Sequence, residues 1–265
     1  MFEVTKRSKL KRYSERADYS KKRVYEVLDE CFMCFISYNP ISSDGKVSNT
    51  PLCIPQGCIR DGNSLLVHGK NSSALLKYLA EGHEVCVTAA RCLGIVYAKS
   101  QFDHSVNYKS VVLYASGKEI TDEEEKTKCF NIIVNALTYP GRNDHIRPSN
   151  ETERKGTKLV KLEIKEACAK VRMASTGDVQ KIQTWSGVIP LARLQLPAIN
   201  DETTNKQGIK SISRVLTKNI EADGVVIQEK EDRRAIIAFA IGVLSGVAAT
   251  GALLLVAGKS YSRNY

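Results

Sequence analysis

Two strand-patterned stretches constrain this chain more than anything else in it. The first, HEVCVTAARCLGIVYAKS at 83–100, alternates apolar and polar residues and is rich in Val, Ile and Tyr. It predicts one long strand, or a pair bulged around Cys92 to Gly94. The second, YKSVVLYASGKEI at 108–120, has β-branched residues between aromatics and predicts an antiparallel neighbour. With the shorter strand patterns around them, these two imply a mainly β fold with helices (α+β), built as a small β-barrel.

The rest of the chain supplies the barrel's remaining parts. Ser20 is a fitting N-cap for KKRVYEVLDE, where Val24, Val27 and Leu28 recur at helical spacing. CFMCFISY then reads as a buried strand, Asp44-Gly45 as a turn, and NTPLCIPQGCIRD as the return strand. Asp61-Gly62-Asn63 marks another hairpin before SLLVHG. Asn71 or Ser72 can cap the helix SALLKYLAEG, which Gly82 ends. Thr121 or Asp122 can cap EEEKTKCFNIIVNAL, whose acidic first turn suits the helix dipole and whose apolar stripe is Cys129, Ile132, Ile133 and Leu137. Two further strands are expected in TKLVKLEIKE and CAKVRMAS.

Charge and cysteine usage narrow the classes. The formal net charge is +10 in 265 residues, but much of it lies in the first 23, which read as a solvated basic arm over 1–15 rather than a nucleic-acid surface. Eight cysteines without a secretory signal argue for reduced thiols, and Cys31 and Cys34, a CxxC inside an apolar run, read as packing residues. A polar, charged linker is expected over 198–234. Ala235 to Gly258 carries no charge and is flanked by Arg233, Arg234 and Lys259, the pattern of a transmembrane helix, with 259–265 as a short tail. The expectation is a tail-anchored protein whose barrel domain, 16–197, faces the cytosol.

Candidate chemistry gathers in two places. Gly69-Lys70-Asn71-Ser72-Ser73 offers a close-approach glycine, a cation and hydroxyls at a helix start, features that can hold a phosphate. It is not a Walker loop, because GxxxxGK[ST] is absent. Phe102 to Val112, FDHSVNYKSVV, opens with aromatic, His and Ser residues and runs into the second long strand. His68 and His104 invite a catalytic role, with hydrogen bonding to a backbone or cofactor oxygen as the plainer one. Ser/His/Asp order, paired carboxylates and HExxH are all missing, so hydrolytic and metal-centred chemistry lack sequence support.

The order of these parts carries a resemblance. Ile54-Pro55, His68-Gly69, Val85 to Thr88, HSVNYKSVV, Pro140-Gly141-Arg142, Ala169 to Arg172 and the segment from Trp185 to Pro190 follow one another. From about Arg16 to Leu191 the chain resembles the pyridoxamine 5′-phosphate oxidase-related flavin-nucleotide-binding family, in the superfamily of the nitroimidazole-resistance proteins. The resemblance implies a split β-barrel that dimerises and binds FMN in clefts shared by two subunits. It implies His68, Gly69 and Ser73 near the phosphate and ribityl chain, with Asn107, Tyr108, Ser110 and Val111 in a second binding segment. Lys109 stands where the family carries Arg, keeping the charge without the bidentate fork. Ile54 and Pro55 are expected where the barrel wall meets the flavin ring, and Trp185 as a lid. Ala17 and Ser20 depart from the family's opening RGxYD pattern. Two functions follow as expectations: a flavoenzyme passing electrons from reduced nicotinamide to a small-molecule substrate, or a non-catalytic FMN or haem carrier or sensor. A pyridoxamine phosphate oxidase proper is a third.

Overall fold

Residues 1–177 and 181–193 are described by the computed structural model. The expected linker, membrane helix and tail lie outside the described residues. Within them, no helix is long and apolar enough to cross a membrane.

In chain order the elements are β1 (Ala17–Asp18), α1 (Lys21–Glu30), β2 (Met33–Tyr38), β3 (Leu52–Gly57), β4 (Ile59–Asp61), β5 (Ser64–Lys70) and α2 (Ala74–Ala80). Then follow β6 (Glu84–Tyr97), β7 (Ser105–Glu119), α3 (Glu123–Leu137), α4 (Glu151–Gly156), β8 (Thr157–Arg172) and β9 (Gly187–Pro190). The strands form one antiparallel sheet in the order β3-β2-β6-β7-β8-β5-β4, with β1 on β8 and β9 on β6. β3 and β5 stand near opposite ends of that order, yet Gln56 Nε2 donates to His68 O at 3.1 Å. The sheet therefore curls round until its ends meet, as a split barrel does.

The long hairpin appears as expected, β6 pairing β7 from Glu84↔Ser116 to Val96↔Ser105 with a register shift between Cys92 and Gly94. One extra residue there reverses side-chain parity, so Val85, Val87 and Ala89 point inward before it and Val96 is buried after it. The two strands expected from TKLVKLEIKE and CAKVRMAS are one strand, β8. A shift opposite Tyr114/Ala115 lets it continue while its inward set changes from Val160, Leu162 and Ile164 to Ala167 and Ala169. The parity break, not a turn, interrupts the alternation. NTPLCIPQGCIRD is likewise not one return strand. It bends at Gly57-Cys58, where Cys58 N–H bonds Phe32 O, and β3 and β4 go to opposite ends of the sheet.

Ser20 and Asp122 cap their helices as expected. For α2 the cap is Ser73, whose Oγ accepts from Leu76 N–H, rather than Asn71 or Ser72. The barrel interior is filled by Val24, Val27 and Leu28 of α1, Leu75, Leu76 and Leu79 of α2, and the inward residues of β2 and β5–β8, with Cys34 and Cys58 among them. Gly117 is needed where α2 crosses β7, because a Cβ there would lie 2.1 Å from Leu79 O. Outside the barrel, α3 covers β4, β5 and β8 with Cys129 and Ile133 on Ile59, Leu66, Ile120 and Leu159. Leu137, expected in that stripe, is 49% exposed.

The basic N-terminal arm is tied to the fold at a few points, although most of its residues are exposed. The folded unit runs Met1–Leu191. Phe2 is buried and its N–H bonds Tyr19 O, while Arg7 lies 4.1 Å over the Tyr114 ring and forks to Glu84 and Glu166. Those carboxylates hold the Arg7 pKa above its ordinary value, and the guanidinium in turn lowers theirs.

Candidate cofactor site

The barrel seam unites the first group of expected site residues. The Gln56–His68 bond sets Ile54-Pro55-Gln56 beside the end of β5. Ile54 packs on the interior, whereas Pro55 is exposed opposite Phe35 on the outer face. Gly69 faces α2 closely, since a Cβ would meet Leu76 Cδ1 at 3.0 Å. Lys70 is exposed, and the loop after it is held by Asn71 Nδ2 donating to Lys155 O at 2.6 Å and by the Ser73 cap. His68 departs from the group: its imidazole turns outward to α3, edge-on to Phe130 with ring centroids 6.2 Å apart. It has no hydrogen-bond partner among the described residues, and burial lowers its pKa.

The second group lies on β7 and alternation divides it. Val111 is core. Asn107 is buried, and its Oδ1 accepts from Arg172 Nη1 at 2.6 Å and Ala174 N–H at 3.0 Å, which ties β7 to the end of β8. Lys109 points inward to α1, donating to Glu26 at 2.6 Å and Glu30 at 2.7 Å. Burial alone would lower its pKa, but these two carboxylates raise it. A cation so committed is not open to a phosphate. Tyr108 and Ser110 face outward, and register places Arg172 and Lys170 of β8 directly beside them. Those two cations were not singled out as site residues from the sequence. The signal was present, because alternate residues of AKVR share a face, but it becomes readable only once the β7–β8 register is known.

Trp185 belongs with this second group. β9 continues along β6, and Trp185, 54% exposed, stacks 5.7 Å from Tyr97, which lies 6.0 Å from His104. His104 Nδ1 contacts Ser100 O at 2.8 Å. Gly187 is required under the indole, because a Cβ would lie 2.9 Å from Trp185 Cζ2.

The two groups are not joined within one chain. Lys109 pairs with Val171 and His68 with Leu159, near opposite ends of β8. The outer surface of β2, β3, β6 and β7 is open and apolar: Met33 is 48%, Phe35 49% and Val112 41% exposed, with Thr88 between Phe35 and Val112 in register. Among the described residues, no three or more His, Cys, Asp or Glu side chains converge on a metal position.

Two solved structures share this architecture. The flavocytochrome Anf3 from Azotobacter vinelandii is 27% identical, with a TM-score of 0.67 over 76% of this chain and 92% of that one. The FAD and heme binding protein from Mycobacterium smegmatis is 25% identical, with a TM-score of 0.61 over 74% and 97%. No curated protein matches. The family model for pyridoxamine 5′-phosphate oxidase matches residues 20–171, from the α1 cap almost to the end of β8. That span holds β2 to β7, nearly all of β8 and every candidate residue except Arg172 and Trp185, and the chain belongs to the pyridoxamine 5′-phosphate oxidase family.

Proposed function

We propose that the protein is a homodimeric FMN-binding redox protein, an oxidoreductase taking electrons from reduced nicotinamide for a small acceptor. The observation that carries the flavin reading is the family match over residues 20–171. The residues suit the group: Lys70 and the Ser72–Ser73 loop present a cation and hydroxyls to a phosphate, and Pro55, Phe35 and Val112 present apolar surface to a ring system. Bound flavin would supply hydride and electron transfer, while the chain supplies placement and exclusion of water. The dimer reading rests on the division of the site. A second copy laid on the open face would set one subunit's seam against the other's Tyr108, Ser110 and Trp185, completing what one chain leaves in halves. The sequence from Ala235 to Gly258 supports a membrane anchor in addition; full-length protein retained in membranes through a carbonate wash, with a chain ending at Arg234 released, is the expected outcome.

Haem is a second reading, because both relatives are named for it, one as a flavocytochrome and one as an FAD and heme binding protein. Extraction of the purified full-length protein separates the readings. FMN with nicotinamide oxidation supports the first, FAD corrects the nucleotide, and protein that accepts neither flavin overturns it.

A further inference from the structure

We infer that His68 is the iron-ligating side chain of a haem site on the α3 side of the barrel, an assignment that rests on the haem reading above. An axial ligand to haem iron is most simply a neutral imidazole in apolar surroundings with a nitrogen left free. The chain has four histidines. His83 contacts Glu81 at 3.2 Å and stacks 4.5 Å from Tyr78. His104 has Nδ1 on Ser100 O and is exposed, and His145 is exposed in the short 3₁₀ turn Arg142–His145.

His68 alone combines partial burial with the lack of any hydrogen-bond partner among the described residues. It leaves the outer face of β5 beside Leu66 and Leu159, two apolar residues sealed by α3, and meets the Phe130 ring in a T-shaped contact. Burial lowers its pKa and so favours the neutral ring, which keeps a nitrogen lone pair. α3 carries two apolar strips. Cys129 and Ile133 are used up against the sheet, while Phe130, Val134 and Leu137, spaced i, i+4 and i+7, form a second strip that stays half-buried to exposed beginning at the imidazole. A flat apolar macrocycle would cover that strip while its iron takes the imidazole nitrogen. The flavin-binding groups proposed above do not include this ring.

The test is titration of purified full-length protein with haemin, read by its Soret band, in the native chain and in His68→Ala, His68→Gly and His83→Ala. Native protein and His83→Ala are expected to give a sharp Soret band at one equivalent. His68→Ala should lose it while keeping its circular dichroism spectrum, and added imidazole should restore it in His68→Gly. A native Soret band that persists unchanged in His68→Ala overturns the ligand assignment and leaves the haem reading standing. A native chain that takes up no haemin overturns both.

Discussion

The two outer faces of the barrel differ in one respect: among the described residues, one has a lid and the other has none. On the α3 side, Leu66 and Leu159 are fully buried and Ile59, Ile120, Cys129 and Ile133 nearly so. On the β2–β3–β6–β7 side the apolar Met33, Phe35 and Val112 are between two-fifths and half exposed. The chain supplies its own cover for the first face, so residues there act on folding. For the second the described residues supply none, and in the proposed dimer a second copy would relieve the cost of keeping apolar sheet in water. A substitution on the covered face should change stability, and one on the open face should change assembly and cofactor retention.

The largest expected effect is on assembly. Phe35→Asp with Val112→Asp buries two uncompensated carboxylates in the proposed dimer face. Sedimentation should show monomer with bound flavin lost, the circular dichroism spectrum kept and the unfolding midpoint lowered only to that of flavin-free monomer; an intact dimer would show that the open face is not the contact. On the covered face, Leu66→Ala should cost about 2–5 kcal/mol in urea unfolding and leave the sedimentation coefficient unchanged. Gly117→Ala should cost about 1–3 kcal/mol, because the new methyl has to displace the Leu79 carbonyl or the α2–β7 crossing.

The smallest effect concerns pH. Arg147 and the backbone N–H of Asn150 hold the exposed Glu153 carboxyl down to about 2, within a capping box at the start of α4. A folded-state pKa below the unfolded one means that this contribution is fully present above the ordinary carboxylate range. It is lost as pH falls from there towards about 2. Protection of the Glu151–Gly156 amides, taken relative to the intrinsic exchange rate at each pH, should therefore fall in that window, and Glu153→Gln should remove that fall.

The contrast between the faces also marks how far sequence could reach. Alternation and turn residues revealed the β6–β7 hairpin, its bulge and the caps of α1 and α3, because these are local. At Lys165 the β8 pattern changes parity, and a strand crossing its own bulge reads as two strands unless its partner is known. The cap of α2 fell one residue late because Asn71, Ser72 and Ser73 all have capping side chains, and the packing of Leu75, Leu76 and Leu79 chose among them. Lys109 was placed on the correct strand, but its ion pairs were not legible. Its carboxylate partners Glu26 and Glu30 lie one turn apart on α1, and only the fold brings that helix across the barrel mouth. The hold on the basic arm was not legible for a similar reason, since the acids that bind Arg7 come from β6 and β8.

The central claim is that a family barrel with a divided site holds flavin between two copies. The most direct measurement is the mass and visible spectrum of the full-length protein together, by sedimentation with detection at about 450 nm, where oxidised flavin absorbs. The account predicts flavin absorbance moving with a dimer, one flavin per subunit, and leaving it when Phe35 and Val112 are both changed to Asp. Flavin that sediments stoichiometrically with a monomer would contradict it.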